Sequence, residues 1–293
     1  MSAAEPIVFS GADGHRLEAD IRGADGRVVL LLHGGGQTRH AWGGAARRLS
    51  ARGWRAISLD LRGHGDSEWH GQGYYMFEHF AEDVVAVSGQ IEARFGCKPV
   101  AVGASLGGIA ALLAEGEGGG GVLDGLVLVD ITPRMDPEGV DRVLSFMAAH
   151  IKQGFASIEE AADAVAAYIP HRKRPEDLTG LAKNLRLDDD GRFRWHWDPT
   201  FLEGQNSAVS DRGKVEERLV AAARALQVPV LLVRGRLSDL VSEELAREFL
   251  ELVPHAAYAD VSGAGHMVAG DDNDSFTRAV TAFLAGLEKG GCP

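Results

Sequence analysis

The feature that most constrains this chain is a rhythm of short, nearly unbroken apolar runs separated by amphipathic stretches. RVVLLLH (residues 27–33), RAISLD (55–60), KPVAVGAS (98–105) and LDGLVLVDI (123–131) show little alternation of polar and apolar positions. A strand of that kind is covered on both faces, as in a parallel sheet held between helices. Residues 41–51, 77–95 and 106–115 lie between the runs and carry helical periodicity. Strand alternating with helix predicts an α/β fold with crossover helices on both faces.

The rhythm breaks after Pro133. From 134 to 222 no buried strand is legible, only helical stretches such as SIEEAADAVAAYI and an unusual DDDGRFRWHWDP. Alternation resumes with VPVLLVRG (228–235), a helix over 243–252, AAYADV (256–261) and a last helix over 275–287. The expected organisation is a core in two parts, 1–133 and 223–293, with a mainly helical cap inserted at 134–222. GEGGGG (116–121) fits the dinucleotide pattern G-x-G-x-x-G in letters only. It precedes a strand instead of following one and opens no helix, so it reads as a surface loop.

Charge narrows the partners. With 42 acidic against 30 basic residues the formal charge is −12, which disfavours nucleic acid or an anionic membrane as the main partner. The short basic cluster HRKRP (171–175) does not reverse this, and reads as a solvated turn, with an anchor for an acidic substrate group as the alternative. No apolar run approaches the roughly 20 residues a membrane-spanning helix needs, and the first residues show no signal-peptide pattern. Cys97 and Cys292 make neither a disulfide framework nor a metal motif. The expectation is a cytoplasmic protein, monomer or homodimer, acting on a small molecule.

One serine stands out. In GASLG (103–107) Ser105 lies directly between an apolar run and a helical pattern. A sharp strand-to-helix turn there exposes a hydroxyl, and Gly103 and Gly107 are the small neighbours such a turn needs. A serine hydroxyl is a weak nucleophile without a base, which is itself oriented by a carboxylate. His266, in the glycine-rich SGAGHMV, is the candidate base. Two carboxylates follow strand ends, Asp239 after VLLVRGRLS and Asp130 at the end of LVLVD. Asp239 gives the order Ser, Asp, His and is preferred; Asp130 is the alternative. Backbone N–H groups of Gly35, in LLHGGG, and of Leu106, at the start of the next helix, would stabilise an oxyanion.

Taken together these segments resemble the α/β-hydrolase fold family over nearly the whole chain. LLHGGGQTRHAW resembles the family's oxyanion segment, DLRGHGDS its loop after strand four, and GASLGG its nucleophile elbow. VRGRLSD and GAGHM resemble the acid and histidine loops. The resemblance implies a mostly parallel, eight-stranded sheet with a lid inserted after strand six. It also implies structural roles for His33 and His64, while Asp60 and Arg62 are expected to pair and hold their loop. His33, His40, His64, His70 and His79 include no pair in a zinc-binding context, so no metal or other cofactor is expected.

Serine at the elbow, where related dehalogenases and epoxide hydrolases carry aspartate, points to acyl chemistry on a small to medium, apolar or aromatic carboxylic ester. Lactone hydrolysis and C–C bond hydrolysis are open to the same triad. A perhydrolase, a cofactor-free dioxygenase or a non-catalytic ligand receptor on this fold are the remaining alternatives. Gly34, Trp42, Phe146, Tyr168, Trp195, Trp197 and Met267 are expected to line the pocket. In the alternating FRWHW, Trp195 and Trp197 share one face of an extended segment.

Overall fold

The computed structural model describes residues 3–170, 174–208, 212–261 and 274–287. Strands β1 (Glu5–Ser10), β2 (Arg16–Arg22), β3 (Val28–Leu32), β4 (Arg55–Leu59), β5 (Val100–Ala104) and β6 (Gly125–Val129) precede a small hairpin. That hairpin is β7 (Leu185–Leu187) and β8 (Phe193–Trp195), and β9 (Val230–Gly235) and β10 (Ala257–Val261) follow it. Among the described residues the main sheet has eight strands in the order β1-β2-β4-β3-β5-β6-β9-β10. β2 is antiparallel to both its neighbours, and every pairing from β4 to β10 is parallel.

Helix α1 (Gly43–Ser50) follows a 3₁₀ turn at Arg39–Trp42, and α2 (Phe77–Phe95) and α3 (Leu106–Glu117) complete the first crossovers. The inserted segment carries α4 (Pro137–Ala149), α5 (Ile158–Tyr168), α6 (Thr179–Ala182) and α7 (Thr200–Glu203). α8 (Arg212–Ala225), α9 (Glu243–Leu252) and α10 (Asp274–Leu287) belong to the core layers.

Alternate side chains of each strand point to opposite faces, and the two faces have separate cores. Leu30, Leu32, Ile57 and Leu59 pack with α2, α3, α8 and α9 through residues such as Phe80, Leu112, Leu219 and Phe249. Val29, Leu31, Val102 and Val233 pack with α1 and α10 through Leu49, Phe276 and Leu284. The buried central strands explain the unbroken apolar runs.

Two features of the insert depart from the sequence reading. The β7–β8 hairpin interrupts an otherwise helical segment. Its three-residue strands are too short to show a period, and it is pinned by a bridge from Phe155 to Phe193. α8 lies against α3, so close that a Cβ on Gly116 would meet the Ala222 carbonyl oxygen at 2.4 Å.

The insert is stitched to the core through its extended stretch. His64 and Trp197 form an isolated bridge. Gly65 N–H donates to His196 O at 2.7 Å, and Asp198 N–H to Gly63 O at 2.8 Å. The Tyr75 hydroxyl donates to Asp198 at 2.7 Å.

Candidate active site

The direction of winding reverses at β3, which has β4 on one side and β5 on the other. At such a switch point the loops leaving the carboxyl ends of adjacent strands diverge and open a crevice. Here those loops are His33–Gly36 after β3 and the turn at Ser105 after β5. They touch: a Cβ on Gly34 would lie 3.3 Å from Cβ of Ser105.

Ser105 sits between β5 and α3 with φ 46° and ψ −116°. Among the described non-glycine residues, it shares a positive φ with Asp130 alone. Such a backbone costs of order 1–3 kcal/mol and persists only where its surroundings impose it. The surroundings here are glycines. A Cβ on Gly103 would strike the Gly107 carbonyl oxygen at 2.5 Å, and one on Gly107 would strike the Leu32 carbonyl oxygen at 2.5 Å. Larger residues would push α3 away from β3 and β5 and relax the turn.

The His33–Gly36 loop is braced by two buried histidines. His33 Nε2 accepts the Leu61 N–H at 3.0 Å, and its Nδ1–H donates to Gly34 O at 2.8 Å. His64 Nε2 accepts the Gly36 N–H at 3.1 Å, and its Nδ1–H donates to Arg62 O at 2.9 Å. A backbone amide can only donate, so each Nε2 is unprotonated and each ring neutral. Burial pushes the His33 pKa down to about 4 and that of His64 to about 3. Gly34 N–H is taken by the Gln37 side chain at 3.1 Å. Gly35 N–H and Leu106 N–H have no acceptor among the described residues. They flank Ser105 from the loop and from the first turn of α3.

The loop after β4 is held differently from the expected Asp60–Arg62 pair. Arg62 makes a two-pronged contact with Asp83 of α2, both bonds at 2.7 Å. Asp60 instead receives the Arg39 guanidinium. Both partners lie about twenty residues away in sequence, and each guanidinium pairs across elements in preference to its neighbour.

The two carboxylates occupy different environments. Ala104 pairs with Val129 across β5 and β6, so Ser105 and Asp130 leave adjacent strands side by side, and neighbouring strands run about 4.8 Å apart. Asp130 is fully buried, with φ 52°. Gly235 N–H donates to its Oδ1 at 3.0 Å and the Ser238 hydroxyl to its Oδ2 at 2.6 Å. The Ser238 oxygen is itself fixed by N–H groups of Leu240 and Val241, each at 3.1 Å. Asp239 leaves 43% of its side chain exposed and pairs with Arg142 of α4 at 2.9 Å. His266 and Met267 lie outside the described residues.

A cavity of about 590 Å³ opens over Ser105 beneath the cap. Gly34, Phe146, Tyr168, Trp195 and Trp197, which the sequence offers as pocket residues, line it together with Gly35 and Leu106. Both tryptophans are more than nine-tenths buried. Phe146 and Tyr168 stack with centroids 4.2 Å apart. Trp42 does not line the cavity. It is wholly buried on the opposite face of the sheet, beside Phe276, because the 3₁₀ turn carrying it leads into α1. Sequence reasoning missed lining residues such as Val140, Val143 and Leu144 of α4 and Ala162, Val165 and Ala166 of α5, whose apolar stripes look like ordinary packing faces.

Fold and site together are those of an α/β hydrolase. Residues 29–279 match the alpha/beta hydrolase family, and the chain belongs to it. It is 28% identical over 263 residues to an esterase of Mycobacterium tuberculosis, covering 87% of this chain and 82% of that one. It is 27% identical over 286 residues to the 2-(acetamidomethylene)succinate hydrolase of Mesorhizobium japonicum, covering 96% and 97% of the two chains. Among solved structures, an α/β hydrolase of Novosphingobium aromaticivorans superposes with a TM-score of 0.80 at 25% identity, over 97% of this chain and 99% of that one.

Proposed function

We propose that this hydrolase cleaves carboxylic esters through an acyl-enzyme on Ser105, with His266 as base and Asp130 as the carboxylate that orients it. The observation that carries the reading is the strained Ser105 turn, set at a helix N-terminus, with the N–H groups of Gly35 and Leu106 lacking acceptors among the described residues. The relatives named above, an esterase and a 2-(acetamidomethylene)succinate hydrolase, support a hydrolytic reading.

In the first half-reaction Ser105 Oγ bonds to the ester carbonyl carbon while His266 takes its proton. The carbonyl electron pair moves onto oxygen, between Gly35 N–H and Leu106 N–H, and the dipole of α3 adds to their pull. The C–O bond to the alcohol then breaks, and His266 gives the proton to the departing oxygen. Water repeats the sequence with Ser105 as leaving group, releasing the acid and returning the proton to Oγ.

Asp130 is preferred over Asp239 on environment. A carboxylate orients an imidazole best where it is dry and rigid, and Asp130 is buried with donors fixing both oxygens. Asp239 spends its charge on Arg142 at the surface. Rapid mixing with p-nitrophenyl butyrate tests the scheme: one equivalent of nitrophenol per enzyme should precede steady turnover, and Ser105→Ala should give none. Asp130→Asn should lower kcat by about 10³–10⁴-fold, and Asp239→Asn by less than about threefold. The opposite order would return the acid to Asp239.

A further inference from the structure

The cap lays three side chains over the His33–Gly36 loop. A Cβ on Gly35 would lie 3.4 Å from Phe201 Cζ, and one on Gly36 would lie 3.1 Å from Met147 Cε and 3.6 Å from Trp197 Nε1. Trp197 belongs to the extended stretch that joins cap to core, and its backbone bridges to His64. On either side of it, His196 O accepts the Gly65 N–H at 2.7 Å and Asp198 N–H donates to Gly63 O at 2.8 Å. Its ring stacks on the His64 imidazole at 26°, with centroids 6.4 Å apart, and meets Phe201 edge-on at 6.0 Å. Backbone and ring are both fixed, and the indole N–H is fixed with them.

That N–H is unmatched. Trp197 is only 3% exposed, and its Nε1 has no acceptor among the described residues. The Nε1 atoms of Trp42 and Trp195 also lack partners, but they are sealed inside the packing. Trp197 Nε1 is not sealed, and its ring lines the cavity over Ser105. An indole nitrogen donates and never accepts. Water serves it when the site is empty of substrate, whereas a substrate offering only hydrocarbon at this point strands the donor.

The sheet order fixes which part of the substrate arrives there. The loops after β3 and β4 lie on one side of Ser105, and Asp130, after β6, lies on the other. A base oriented by Asp130 takes the serine proton on that far side and returns it there to the departing alcohol. Asp239 follows β9, beyond β6, so the direction is the same for either acid. The acyl part is left on the side of Gly36 and Trp197. Gly34 touches Ser105, and with consecutive Cα atoms about 3.8 Å apart, Gly36 lies no more than about 7.6 Å from Gly34.

We infer that the acyl part of the substrate carries a second oxygen acceptor, a carbonyl a few bonds from the scissile one, and that Trp197 Nε1–H binds it. Trp197 is then a specificity-determining residue. The inference rests on Ser105 acylation as the chemistry and adds a recognition element to it.

The test compares p-nitrophenyl levulinate with the valerate, and the 5-oxohexanoate with the hexanoate, beside labelling of Ser105 by a small fluorophosphonate. Each kcat/KM is divided by the ester's hydroxide rate constant, which removes differences in intrinsic reactivity. At least one oxo ester should be preferred to its parent chain by about tenfold, the worth of one buried neutral hydrogen bond. Trp197→Phe should bring that ratio to within about twofold of unity. If that variant does not fold, benzothienylalanine at position 197 keeps the ring shape, replaces N–H by sulfur and should do the same. An enzyme that labels and cleaves esters but prefers neither oxo ester would overturn the inference and leave Ser105 in place. So would a preference that survives loss of the N–H. An enzyme that neither labels nor cleaves any ester would overturn the esterase reading, and this inference with it.

Discussion

At the scale of single residues, Ser105 is a position where the fold stores strain. Its φ of 46° is imposed by strand and helix closing on each other across Gly103 and Gly107. Replacing the serine with glycine removes the Cβ that makes this backbone unfavourable, and part of that gain is offset by the freedom glycine adds to the unfolded chain. Ser105→Gly is therefore expected to stabilise the protein by about 1 kcal/mol while abolishing turnover, read from urea unfolding and ester hydrolysis. A loss of stability would mean the turn is relaxed as it stands. Gly107→Ala should act in the other direction. Its methyl would sit 2.5 Å from the Leu32 carbonyl oxygen, and overpacking against backbone costs about 2–3 kcal/mol. A variant as stable as the parent would show that α3 can move off β3 freely.

At the scale of elements, the loop at His33–Gly36 depends on imidazoles that must stay neutral. His33 and His64 have pKa values pushed by burial to about 4 and about 3, against about 6.5 in an unfolded chain. Between those values the unfolded state holds more protons than the folded one. Their contribution is whole above pH 6.5 and is lost as pH falls toward 4 and 3, at about 1.4 kcal/mol per pH unit for each ring. His64→Gln keeps an acceptor for Gly36 N–H and removes one of these protons. Its stability should fall less steeply than the parent's between pH 6.5 and 5, and an equal slope in urea titrations would contradict the neutral brace.

The same scale shows what the sequence discloses. The central strands were legible because burial on both faces forbids polar positions, and α2 matches its expected span, Phe77–Phe95. Of the β7–β8 hairpin only the extended FRWHW around β8 was legible, since its three-residue partner β7 carries no period. The Asp60–Arg62 expectation failed because both groups found partners on other elements. Trp42 was misjudged for a related reason: proximity to LLHGGG in sequence says nothing of which face of the sheet a ring will enter. The sequence reading prefers Asp239, with Asp130 as the alternative; the proposal for Asp130 rests on burial, backbone φ and donor count, none of which is written in a strand-end motif.

At the scale of the whole molecule, a rigid α/β core presents the chemistry and an inserted cap supplies most of the pocket. The two meet at the extended stretch around Trp197, at Tyr75–Asp198, and at the exposed Arg142–Asp239 pair. The last is half in solvent, so Arg142→Ala should change stability by less than about 1 kcal/mol. A larger loss in thermal unfolding would make it a principal fastening of the cap.

The central claim is that Ser105 is an activated nucleophile, and intact-mass analysis after exposure to a fluorophosphonate tests it most directly. The parent protein should gain one phosphonyl group, and folded Ser105→Ala should gain none. An unlabelled parent, or a mutant labelled as fast as the parent, would contradict the account.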